Sequence, residues 1–172
     1  MLDQNIISLY NCGTALNIWR DIMKRFYKTV RLAYETKYWI ERLIEYRNKQ
    51  LQQQLSSNMQ QHIEEEILNH YPLDGVALTI TLNVTIGSII EWAVKEAEKL
   101  SPAEWKELEI EVVNAKKRIP CSFESSPTPR IYFSFDAYHK LADMVKYTKN
   151  HEISLPYLIK LVIYNLYRKT FL

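Results

Sequence analysis

Glycine is nearly absent from this chain, at three residues in 172. That scarcity excludes functions that need a flexible loop around phosphate, because a phosphate-cradling loop or a dinucleotide fingerprint places several glycines within a few positions. Cysteine is as scarce. Cys12 and Cys121 lie too far apart for a metal knuckle and are too few for a disulfide framework, so both read as reduced and structural. Long apolar runs are also missing: stretches such as Leu161-Val162-Ile163 fall far short of the roughly 20 residues that cross a bilayer. No membrane span is expected. The opening residues, MLDQNIISLYNCGT, lack the basic start and long apolar stretch of a signal peptide, which points to a cytoplasmic location. No nucleophile elbow or metal signature is legible, so neither catalysis nor a cofactor is expected.

What is present is apolar and helical in pattern. With 47% apolar residues, the chain is rich enough to bury a real core. From Leu16 to Leu55 there is no glycine or proline, and Leu16, Trp19, Met23, Phe26, Val30 and Ala33 recur at helical spacing. This predicts one long helix or two nearly continuous ones, with Thr14 as N-cap. The polar tract LQQQLSSNMQQ follows, then a helix from about Gln60 to His70, then a break at Pro72 and Gly75. Residues 77–84, ALTITLNV, fit either a strand or the start of a helix. Ser101, Pro102 and Glu104 have the spacing of a capping box with proline at the first helical position, which predicts a helix to about Ala115. The expected fold class is mainly α, a helical bundle with at most one or two short strands. Its expected organisation is a helical region over 1–118, a proline- and serine-rich linker over 119–129, and a strand-helix-helix module over 130–172.

Charge is distributed unevenly behind a net value of +2. Residues 1–59 carry nine Lys/Arg against five Asp/Glu, residues 60–115 three against eleven, and residues 116–172 ten against four. Two basic ends therefore flank an acidic middle, a layout that would let basic elements meet on one face for a polyanion. On a helix continuing from Leu16, Arg20, Lys24, Tyr27, Lys28, Arg31, Tyr34, Tyr38 and Arg42 would share a stripe. Cations on it would neutralise phosphates and tyrosines would stack on bases, while the competing reading is a solvated face with local ion pairs. Lys116, Lys117 and Arg118 add a second basic group. His62, Glu66 and His70 recur four apart on one helix, but three ligands over two turns cannot share one ion, so they read as a solvated face.

The C-terminal stretch begins PRIYFSFDAYHKLADM. Ile131, Phe133 and Phe135 would point inward and Arg130, Tyr132 and Ser134 outward, because side chains alternate along a strand. Asp136 would cap a helix burying Leu141, Met144 and Val145, and Ser154 would cap a last helix to about Lys169. These 43 residues resemble the ribbon-helix-helix family of DNA-binding proteins. The resemblance implies a strand paired with its twin across a dimer and laid in the major groove, Arg130 reading guanine edges and Ser134 a short polar contact. In size, helicity and mild basicity the whole chain is also similar to the small subunits of CRISPR effector complexes. The expectation is a non-catalytic nucleic-acid-binding protein, DNA being favoured over RNA, with self-association or protein partners. It would act as a ribbon-helix-helix regulator or as a structural subunit holding a backbone. A helical adaptor whose acidic middle binds a basic protein is the third reading.

Overall fold

The computed structural model describes residues 25–28, 30–55, 59–70, 81–120, 131–148 and 153–172. Thr14, Pro72, Gly75, both cysteines, His151 and most of the linker expected over 119–129 lie outside them. The first regular element corrects the sequence expectation: Arg25–Lys28 is a strand, β1, and the first described helix, α1, spans Tyr34–Leu55. The physical reason is visible in the residues that follow β1, where Val30 and Leu32 are buried while Arg31 and Ala33 are exposed. That alternation has the period of an extended chain, and RFYK carries the aromatic residues that sheets favour. A partner strand far along the sequence then outweighs local helical spacing.

The partner is β2, Ile131–Ser134, which pairs antiparallel with β1 in the register Arg25 to Ser134, Phe26 to Phe133, Tyr27 to Tyr132 and Lys28 to Ile131. Ile131 and Phe133 are buried and Tyr132 is exposed, as alternation requires. Phe135 departs from that alternation and is 44% exposed. Asp136 also departs from expectation, because the cap is Ser134, whose Oγ accepts from the Ala137 N–H at 3.3 Å. The two departures have one cause. The strand stays extended through Ser134, which sets its hydroxyl opposite the free N–H groups of helix α5, Phe135–Met144, and turns Phe135 into the first helical residue.

The remaining elements are α2, Met59–His70; α3, Ile86–Ala97; α4, Pro102–Lys116; a 3-10 turn, Val145–Tyr147; and α6, Leu155–Phe171. Residues 81–84 take no regular structure, and α3 begins behind a reciprocal cap in which Thr85 and Ser88 each accept the other's backbone N–H. Ser101 and Glu104 form the expected box at the start of α4, which buries Trp105, Leu108 and Val112 along one face. Such caps satisfy N–H groups that a helix end leaves without partners, each worth about 1 kcal/mol.

α6 is the centre of the molecule. Every residue from Leu161 to Leu166 is buried, so this helix has core on all sides rather than one apolar stripe. It packs against α1, α3, α4 and α5, with its largest contact on α3. Side-chain pairs Glu35 with Lys160, Trp39 with Tyr164 and Tyr46 with Phe171 rise together along both helices, so α1 and α6 run parallel. One hydrophobic cluster draws on both sides of the expected linker, from Val30 to Val112 and from Ile131 to Leu166. Among the described residues the architecture is six α-helices and a two-stranded ribbon, a mainly α fold. No described helix is long and apolar enough to cross a membrane.

Candidate nucleic-acid interface

Folding joins the acidic middle of the chain to its basic end. Lys140 on α5 reaches Glu98 just after α3 at 3.2 Å, Lys169 on α6 reaches Glu96 at 3.5 Å, and Arg168 reaches Glu111 on α4 at 2.8 Å. Lys160 forms an ion pair with Glu35, which is 2% exposed. Burial alone would raise the Glu35 carboxyl, but the Lys160 hydrogen bond, the backbone and the charges of Lys160 and Lys116 together hold it below the ordinary value. Four cations of the C-terminal segment are thereby committed to carboxylates of the same chain.

A second group of cations is not committed in this way. Among the described residues no carboxylate lies within ion-pair distance of Arg31, Lys116, Lys117 or Arg118. Arg31 is exposed on the segment entering α1, and Lys116, Lys117 and Arg118 are exposed at the end of α4. The two places adjoin, because the Lys116 ammonium lies 5.3 Å from the ring centre of Tyr34, the first residue of α1. A cation over an aromatic face is held in place without being neutralised, so the lysine keeps its charge for another partner.

The other expected residues fall elsewhere. Arg20, Lys24 and Arg130 lie outside the described residues. Tyr27 and Lys28 are on β1, so the stripe expected on a single helix is divided between a strand and α1. Of its α1 members, Tyr38 is half-buried against Tyr167, and Arg42 pairs with Glu45 at 3.0 Å. Tyr132 stands 51% exposed on the ribbon. Ser134 serves the fold at two atoms: its Oγ caps α5 and its N–H donates to the Glu91 carboxylate at 2.9 Å. His62, Glu66 and His70 are exposed along α2.

Two features had no signal in the sequence. Phe135, 44% exposed, meets His139 edge to face at 4.1 Å between ring centres. A cavity of about 470 Å³ opens beside Arg118, lined also by Glu111, Asn114, Tyr164 and Arg168. Its walls come from α4 and α6, about fifty residues apart, so no local motif could announce it. Compared with known proteins, the chain matches no family model, no curated protein and no solved structure.

Proposed function

We propose that the protein binds nucleic acid without catalysing a reaction on it, holding a phosphate backbone against the basic edge of Arg31, Tyr34, Lys116, Lys117 and Arg118. The observation that carries this reading is the contrast between cations: those of α5 and α6 are paired within the chain, while this edge keeps its charge. A backbone that displaces only counterions from such an edge gains affinity without breaking internal ion pairs. The role is that of a structural component of a nucleoprotein complex, similar in character to the small helical subunits of CRISPR effector complexes, and a cytoplasmic one. The adaptor reading loses support, since Glu96, Glu98 and Glu111 of the acidic middle already pair with cations of this chain.

The ribbon supports a second reading. It is built within one chain from β1 and β2 and leaves Tyr132 exposed, so a two-stranded element of the width that enters a major groove has an exposed aromatic on it. This version keeps the DNA-binding role expected of a ribbon-helix-helix regulator and assigns base contacts to Arg130 and Tyr132.

Filter binding of labelled duplex and single-stranded oligonucleotides separates these versions. Reversing Arg31, Lys116, Lys117 and Arg118 to glutamate abolishes retention of every sequence under the backbone reading. Changing Arg130 and Tyr132 to alanine relaxes sequence preference under the ribbon reading and leaves general affinity in place. Retention unchanged by both sets of substitutions removes the nucleic-acid function.

A further inference from the structure

The cavity beside Arg118 is continuous with the basic edge, since Arg118 belongs to both. Its floor is Tyr164, 5% exposed and packed on Trp39 at 4.9 Å between ring centres. Among the described residues the Tyr164 hydroxyl has no hydrogen-bond partner, yet it is not among the fully enclosed orphan atoms. A tyrosine this deeply buried ordinarily places its O–H on an acceptor. Tyr164 lines the cavity, and the charges of three residues on its walls, Glu111, Arg168 and Arg118, act on its hydroxyl.

The charges in that space favour an anion. Glu111 is bonded to Arg168 Nη1 at 2.8 Å, and Arg168 Nη2 reaches the Asn165 side-chain oxygen at 3.5 Å. A guanidinium has five N–H donors, so these contacts leave Arg168 with donors to spare. Arg118 has no carboxylate partner among the described residues, which makes its charge the uncompensated one. Burial pushes the Tyr164 hydroxyl above the usual tyrosine range, Glu111 adds to this and the two arginines oppose it, so the phenol remains a proton donor at neutral pH.

We infer that this cavity is a phosphate-binding site, with Arg118 and the Tyr164 hydroxyl as its principal donors and Arg168 and Asn114 at its walls. The inference rests on the proposed nucleic-acid function for the source of the phosphate, while the chemistry is that of any phosphate monoester or diester. At about 470 Å³ the space lies in the usual range for small-ligand sites, about 300–1,000 Å³, and admits a phosphate with part of its sugar. The space is open to solvent, and a group seated there meets donors from both the α4 and the α6 sides of the groove.

The experiment uses the full chain and three probes: an oligonucleotide with a 5′-phosphate, the same oligonucleotide with a 5′-hydroxyl, and inorganic phosphate as competitor at constant ionic strength. Arg118→Gln and Tyr164→Phe are each expected to weaken oligonucleotide binding about tenfold or more, the usual effect of losing one hydrogen bond to a charged group. Tyr164→Phe keeps the ring on Trp39, and its circular dichroism melt verifies that it folds. Inorganic phosphate should compete with the wild-type protein and lose that effect in both variants. A preference for the 5′-phosphate assigns the site to a chain end, and equal binding of the two oligonucleotides assigns it to the backbone. If both variants bind as wild type while reversal of Arg31, Lys116 and Lys117 abolishes binding, the cavity proposal falls and the nucleic-acid function stands. If inorganic phosphate binds through Tyr164 and no oligonucleotide binds, the site stands and that function falls.

Discussion

The cations of α5 and α6, paired with carboxylates, and those at the junction of α1 and α4, with no carboxylate within ion-pair distance among the described residues, are the same residue types in different surroundings. Lys160, Arg168 and Lys169 face carboxylates that arrive from 57 or more positions earlier in the chain, and removing them acts on the fold. Arg31, Lys116, Lys117 and Arg118 have no carboxylate within ion-pair distance among the described residues, and under the proposed function removing them acts on what the protein binds. Counting charges along a sequence cannot make this distinction. What separates the groups is where the acidic residues lie after folding.

The largest effect is expected at the buried pair of Glu35 and Lys160. Lys160→Met leaves Glu35 enclosed without its counterion and should cost about 3 kcal/mol of stability, whereas Glu35→Leu with Lys160→Met together should cost much less. Urea unfolding of the two variants measures the difference. Leu108→Ala, in the α4 face that holds the basic edge against the core, should cost about 3 kcal/mol by the same measurement. The pH dependence has a definite sign. Glu35 is held below its ordinary value of 4.5, so its stabilising contribution is complete above that pH and is lost as pH falls through the lower, folded-state value. Acid titration followed by circular dichroism should show this loss below about pH 4.5 in the wild type, and Glu35→Gln should flatten it.

Smaller still is the effect of the surface pairs. Lys169→Ala should change stability by about 0.5 kcal/mol or less, because its pair with Glu96 is largely solvated. Reversal of Arg31, Lys117 and Arg118, which leaves in place the Lys116 charge that acts on Glu35, should leave the melting transition nearly unchanged while abolishing binding. That pairing of results sharpens the contrast most, since the substitutions at Lys160 and Leu108 are expected to do the opposite.

Much of the fold was legible in the sequence where the signal is local. Ser101, Pro102 and Glu104 announced the start of α4 by their spacing, and the alternation of Ile131, Tyr132 and Phe133 announced β2. β1 was not legible because RFYK sits in a stretch without glycine or proline whose apolar residues also fit a helix, and its partner strand lies more than a hundred positions away. The cap of α5 was misread by two positions, since Ser134 and Asp136 are both good caps and the extent of the strand decides between them. Of the candidate interface, the basic residues themselves could be named in advance. The sequence held no sign that Lys116 would sit on Tyr34, that Lys160 would meet Glu35 across 125 positions, or that Tyr164 would line a cavity with Arg118.

Binding of a phosphate backbone at the edge of Arg31, Lys116, Lys117 and Arg118 would show itself in the salt dependence of oligonucleotide affinity. Fluorescence anisotropy across a series of salt concentrations should give a steep linear fall of log affinity for the wild type, with the slope shallower by about one for each of Arg31, Lys116 and Lys117 replaced by alanine. A slope that stays the same when all three are replaced would contradict the account, because the backbone would then be meeting some other part of the molecule.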